Sequence, residues 1–151
     1  MSAILYLDTS SLVKLYVEEE GSNEIEDLVV ASPAVATSLI AYAEARSAFA
    51  RRLREQAFSA AEYREILASF ESDWGSYAHA AVTIEIVRLA GNLAEKHALR
   101  GFDGLHLSSA VTIGRQSASP VRFSSSDRNL GSGFFDLGGI NRVAMLEGVM
   151  P

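Results

Sequence analysis

The stretch Ile4-Leu5-Tyr6-Leu7-Asp8-Thr9-Ser10-Ser11 decides how the chain is read. Four large, strand-favouring residues run without a polar break into an acid and three hydroxyls, and a helix-like spacing of Leu12, Leu15 and Tyr16 follows at once. A strand apolar at every position is buried on both faces, which is the habit of parallel sheets flanked by helices. The stretch is therefore expected as a first, central strand with Asp8 at its carboxyl end, where ligands bind in open α/β sheets. An acid at that point also serves as a cap for the following helix. Asp8 alone decides nothing until other segments supply it with company.

Working outward, Ser11 to Val17 reads as a short helix. A second helix starts at Ser22 and carries Ile25, Leu28 and Val29 at period 3.6. The acid run Glu18 to Glu20 reads as solvated surface. Pro33 to Thr37 is a short second strand, and Ser38 caps a long helix to about Glu55. Another helix begins at Phe58-Ser59 and closes near Trp74-Gly75, its aromatic residues suiting core or dimer contacts better than base stacking. Ala80 to Ile84 is a small strand or connector. A helix through Val87, Ala90 and Ala94 then ends at Arg100-Gly101 in the usual glycine manner, and the next opens with Asp103 at its mouth. Val121 to Leu130 repeats the opening pattern of strand, hydroxyls and acid; Gly131 to Gly139 reads as loop and Arg142 to Leu146 as a final edge strand. Alternating strands and helices predict an α/β fold, a three-layer α/β/α sandwich with a mainly parallel sheet, in one domain over residues 1–151.

Composition narrows the class. A chain of 151 residues, 48% hydrophobic and 21% charged, has ordinary globular make-up. The absence of cysteine excludes disulfides, zinc-thiolate sites and thiol catalysis. No basic, apolar leader precedes the first strand, and no uncharged run reaches the roughly 20 residues of a membrane helix, so a soluble, cytoplasmic protein is expected. A net charge of −6 argues against a protein that simply coats nucleic acid, but not against a nucleic-acid enzyme whose acids gather round metal ions.

Such acids are present. Asp8, Asp103 and Asp127 each follow a strand or open a helix, and Glu44 interrupts a helical stripe, Ile40 to Ala48, that otherwise looks buried. Carboxylates that converge without a cation repel one another and take up protons. Mg²⁺ or Mn²⁺, which prefer oxygen ligands, relieve that repulsion and suit phosphodiester hydrolysis. Arg46, Arg51, Arg52 and Arg128 are candidates to hold a nucleic-acid backbone, although arginines on a helix are often only a solvated face. His106, three positions after Asp103, reads first as a packed residue, because the chain shows no paired-histidine metal spacing.

Leu7 to Tyr16, Glu44 in its helix, Leu99 to Leu107 and Phe123 to Leu130, in this order, resemble the PIN-domain family, specifically the VapC-like toxins of type II toxin–antitoxin pairs. That resemblance implies a Mg²⁺- or Mn²⁺-dependent endoribonuclease acting on RNA. Asp8, Glu44, Asp103 and Asp127 would be its catalytic metal-binding acids, with Ser10 and Ser125 as supporting hydroxyls. It also implies a homodimer silenced by a cognate antitoxin protein. Gly104, where the family more often has alanine, and Phe134-Phe135 depart from the family pattern. Three alternatives are weighed: another metal-dependent phosphodiesterase or DNA nuclease, a non-catalytic RNA-binding module, and a phosphotransferase using Asp8 as nucleophile. Against the last, Ser10 stands where such enzymes carry a second aspartate. On the residues' own reading Asp8 ceases to be a cap once the other acids are counted.

Overall fold

The structure, a computed structural model, describes residues 3–126 and the backbone of 133–137. Strand β1 is Ile4–Leu7, followed by helices α1 (Thr9–Val13) and α2 (Ser22–Ala31), strand β2 (Val35–Ser38), helices α3 (Ile40–Arg54) and α4 (Ala60–Trp74), strand β3 (Ala78–Ala80), helices α5 (Ile84–His97) and α6 (Gly101–Ser117), and strands β4 (Val121–Ser125) and β5 (Gly133–Leu137). The sheet order is β3-β2-β1-β4-β5, so β1 is central as its sequence requires. It pairs in parallel with β2, Leu5 opposite Val35, and with β4, Leu7 opposite Ser124. Only β5, against β4, is antiparallel among the described strands.

Alternation along β1 sorts the two cores. Tyr6 packs with Leu107, Ala110 and Phe123 beneath α5 and α6. Leu5 and Leu7 pack with Leu12, Ile25, Ala45, Phe49 and Phe70 on the other face. This is the expected three-layer α/β/α sandwich, and its uninterrupted strand sequence follows from burial on both sides. Phe70, on α4, is fully buried and meets Phe49 edge-on at 5.4 Å, which ties the α3–α4 hairpin to the core and leaves Phe70 no free face for base stacking.

Several local expectations are corrected. α1 stops at Val13 rather than Val17. α5 ends with Ala98 in the left-handed region at φ 53, so Gly101 opens α6 instead of closing α5. α6 is therefore capped at Arg100, and Asp103 is its third residue rather than its cap. β3 lies earlier than Ala80 to Ile84, because Thr83 is claimed as the N-cap of α5, its side chain accepting from the Ile86 amide. The glycine-rich 131–139 stretch contains β5, whose order comes from pairing with the free edge of β4. The edge strand expected at Arg142 to Leu146 lies outside the described residues, as do Asp127 and Arg128.

Connectivity locates the crevice. The chain steps outward from β1 to β2 and β3, then returns through α5 and α6 to β4 on the other side of β1. The carboxyl ends of β1 and β4 thus flank a topological switch point, the preferred place for a ligand in an open α/β sheet. Among the described residues no helix is long and apolar enough to cross a membrane.

Candidate active site

Asp8 leaves the end of β1 and caps α1, contrary to the expectation that capping would not account for it: one carboxylate oxygen accepts from the Ser11 amide at 3.0 Å. Ser10 donates to the same oxygen at 2.7 Å, while its own hydroxyl accepts from the Ser126 amide at 2.8 Å. Ser11 meets Ser124 at 2.9 Å between hydroxyls, and the Asp8 amide donates to the Ser124 carbonyl. The ends of β1 and β4 are therefore stitched together through short polar side chains. Asp8 is buried, and burial pushes its carboxyl above the ordinary value against the pull of His106 and of hydrogen bonds from Ser125, Ser10 and Ser11.

Glu44 reaches the same region from α3. Its Oε1 accepts from Thr9 at 2.6 Å and from His106 Nε2 at 2.9 Å. Partial burial works to raise its carboxyl, but the hydrogen bonds of His106 and Thr9, with the charges of His106 and Arg100, outweigh it and hold Glu44 below the ordinary value. Asp103 comes from the first turn of α6. Arg100 folds back on it, Nε to Oδ2 at 3.0 Å and Nη2 to Oδ1 at 3.4 Å. The carboxylate side chain is 8% exposed and its guanidinium partner 66%, so a buried acid is held by a cation reaching in from solvent.

Glu44 and Asp103, with Thr9, Ser10, His106 and Ser126, line a cleft of about 1270 Å³. Asp8 is buried and joins this lining through its hydrogen bond with Ser10. Of the candidate arginines, Arg51 and Arg52 line the cleft, although Arg52 also binds Glu19 at 2.5 Å. Glu19, assigned no role in the sequence, is thus a cleft residue that bridges Arg52 and Lys14. Arg46 instead pairs with Glu71 at 3.3 Å and donates to Tyr42 at 2.7 Å, outside the cleft lining. Ser125 is buried at the end of β4. Asp127 and Arg128 lie beyond the described residues.

His106 is the residue that sequence reasoning undervalued. It is packed, as expected, but packed into the site: besides Glu44 it touches Thr9 at 3.2 Å and the Tyr6 hydroxyl at 2.8 Å. The available signal was its place one turn after Asp103 in an unbroken buried run, Asp103 to Ala110. A polar ring there needs partners.

The acids supply hard oxygen donors, the kind Mg²⁺ and Mn²⁺ take. Among the described residues no group of three or more His, Asp or Glu side chains is gathered closely enough to hold a metal ion. Each carboxylate is held by donors of the chain itself. The donors fit a hard divalent cation in chemical type.

A mainly parallel sheet with a crevice at its switch point lined by carboxylates and arginines defines an α/β domain whose polar cleft lies at the carboxyl ends of its strands. Sequence comparison makes the class specific: the PIN domain profile matches residues 5–129, and the chain belongs to that family. Within it the chain is 34% identical, over 111 residues, to Ribonuclease VapC45 of Mycobacterium tuberculosis strain CDC 1551 / Oshkosh, the match covering 74% of this chain and 77% of that protein. Ribonuclease VapC49 of strain ATCC 25618 / H37Rv matches with the same identity and coverage. A solved toxin–antitoxin complex from Klebsiella pneumoniae contains a chain that shares the fold at a TM-score of 0.57 and 17% identity, covering 83% of this chain and 87% of its own.

Proposed function

We propose that the protein is a divalent-metal-dependent endoribonuclease, the toxin of a toxin–antitoxin pair, with Asp8, Glu44 and Asp103 as its working acids and Asp127 as a fourth. The observation that carries this reading is the meeting of Glu44 and Asp103 in one cleft, with Asp8 bonded to Ser10 of its wall, in a chain 34% identical over 111 residues to two ribonucleases. These acids come from segments far apart in sequence, and capping explains only Asp8.

The chain's own part in the reaction follows from the geometry. Hydrogen bonds from Thr9 and His106 keep Glu44 ionised and aimed. Ser10 and Ser11 fix one oxygen of Asp8. Arg51 and Arg52 lie where a phosphate backbone enters, positioning the strand without reading its sequence. Glu44, Asp103 and Asp8 would hold a divalent cation by drawing together from the separate partners they keep in the metal-free protein, and the cation would supply water activation and charge stabilisation at the leaving oxygen. Water attacks phosphorus in line, the P–O3′ bond breaks and the 3′ oxygen takes a proton, so the products carry 5′-phosphate and 3′-hydroxyl ends. A phosphotransferase role for Asp8 fits poorly, because Ser10 stands where such chemistry uses a second aspartate, and its hydroxyl is spent on Asp8 itself.

The proposal extends to a cytoplasmic homodimer, for which exposed Val82, Ile84 and Val87 supply apolar surface, and to an antitoxin that covers the cleft. Incubation with single-stranded and structured RNA, with Mg²⁺ and with chelator, tests the core claim. Metal-dependent cleavage that is lost in Asp103→Asn supports it; cleavage undiminished in that variant overturns the assignment of the acids.

A further inference from the structure

A chain of four side chains runs from the core of the sheet to the cleft. Tyr6, on the central strand, is fully buried, and its hydroxyl lies 2.8 Å from His106 Nδ1. His106, 3% exposed, lies with Nε2 at 2.9 Å from Glu44 Oε1 and 3.2 Å from Thr9 Oγ1. Thr9 closes the triangle by donating to the same Glu44 oxygen at 2.6 Å. The ring has almost no access to water, so both of its nitrogens must be satisfied by these neighbours.

The donors and acceptors can be assigned one by one. An ionised carboxylate only accepts, so the proton between His106 and Glu44 belongs to Nε2. The Thr9 proton is spent on Glu44, which leaves its oxygen to accept a second, weaker share of the Nε2 proton. Nδ1 then presents a lone pair to Tyr6. The phenol keeps its proton because burial pushes it well above its ordinary value. Its polar neighbours Thr37 and Ser109 spend their own protons on the carbonyls of Leu7, at 2.7 Å, and Leu105, at 2.8 Å. The Tyr6 proton directed at Nδ1 satisfies every member of this network.

We propose that His106 is the positioning residue for Glu44, and that Tyr6 selects the Nε2–H tautomer that makes it so. The consequence is directional. Glu44 sits on α3, across the cleft from α6, and without this bond the Thr9 hydroxyl is the hydrogen-bond donor left to it among the described residues. Anchored to a ring that is itself anchored to β1, Oε1 is fixed, and the carboxylate is held in place at the wall of the cleft. Outer hydrogen bonds of this kind typically matter by about 10–100-fold in metal affinity or activity. The functional meaning of this positioning rests on the nuclease reading; the tautomer assignment does not.

Two measurements decide the matter. Long-range ¹H–¹⁵N correlation spectra of ¹⁵N-histidine protein distinguish the tautomers, and with three histidines in the chain His106→Gln assigns the signal. The expected result near neutral pH is an Nε2–H ring with a bare Nδ1, changing to a mixture in Tyr6→Phe. An Nδ1–H ring or a doubly protonated one in the parent overturns the assignment. Mn²⁺ titration by calorimetry then reads the positioning. His106→Leu and Tyr6→Phe should weaken binding about 10–100-fold, and His106→Gln, which keeps an N–H donor near Nε2, should recover part of the loss. Circular dichroism melts identify any variant that fails to fold. Parental affinity in folded Tyr6→Phe and His106→Leu defeats the positioning role. A parent that binds no Mn²⁺ and cuts no RNA defeats the nuclease reading instead, and the spectra still decide the tautomer.

Discussion

Gly104→Ala adds one methyl group where α5 and α6 cross, next to Asp103. A Cβ at this position would lie 2.6 Å from the Ala90 carbonyl oxygen and 3.2 Å from the Ala94 Cβ. The first contact is with helix backbone, which cannot step aside as a flexible side chain can, so α6 must move. Overpacking of this kind costs about 1–3 kcal/mol, and replacing glycine by alanine inside a helix returns about 1 kcal/mol. The net loss should be up to about 2 kcal/mol, lowering the melting temperature by up to about 8 °C in a domain of this size. Gly91→Ala is the matched control: it lies within α5, nothing stands within 4 Å of its added Cβ, and it should melt about 2–4 °C above the parent. Thermal melts of the two variants under one buffer place Gly104→Ala below Gly91→Ala if the reasoning holds. Gly104→Ala melting as far above the parent as Gly91→Ala refutes the close-approach account. The same substitution should lower RNA cleavage out of proportion to the stability lost, because Asp103 rides on the displaced turn. The glycine at 104 is thus a packing choice made together with Ala90 and Ala94.

Glu44→Gln and Asp103→Asn should each reduce RNA cleavage by about 100-fold or more, a loss of about 2.7 kcal/mol in transition-state stabilisation, measured as single-turnover rates. In metal-free protein the acids should act on stability with opposite signs. The folded carboxyl of Asp8 is raised above 3.8, so its contribution is full below that pH and declines as pH rises through the folded value; Asp8→Asn should therefore melt higher than the parent at pH 7 while losing activity. Glu44 is lowered from 4.5, so its contribution is present above that pH and is lost as pH falls through the folded value; Glu44→Gln should narrow the gap between melts at pH 7 and pH 4. Arg51→Ala should weaken RNA binding and reduce the salt slope by about 0.7, whereas Arg46→Ala should leave the slope unchanged and lower the melting temperature through Tyr42 and Glu71.

The central strand was legible because a residue run with no polar side announces burial on both faces, and the place of Asp8 followed from it. Glu44 was legible as an acid in an apolar stripe. The Ala98 turn was not, since a left-handed alanine is dictated by how α5 meets α6 and not by its own preference, while Arg100-Gly101 nearby carried the ordinary stop signal. β5 was hidden for a similar reason: the glycines at 131, 133, 138 and 139 around Phe134-Phe135 read as loop, and a neighbouring edge supplies the order. His106 shows the limit at the site itself. Its burial could be read from the residues around it, but its partners lie 100 and 62 positions away and only the fold brings them together. Arg46 and Arg51 looked alike in sequence and face different surroundings, because five residues along a helix turn the side chain to another side.

The stitching of β1 to β4 also has a bearing on the order in which the molecule is made. Asp8 and Ser10 leave the ribosome well before Ser124 and Ser126, on which their settled places depend and which follow more than a hundred residues later. No partial chain ending before β4 can assemble the crevice, since its two banks do not yet both exist. A protein able to cut RNA is thereby synthesised on RNA in an unassembled form, and competence arrives only when translation of this segment is over.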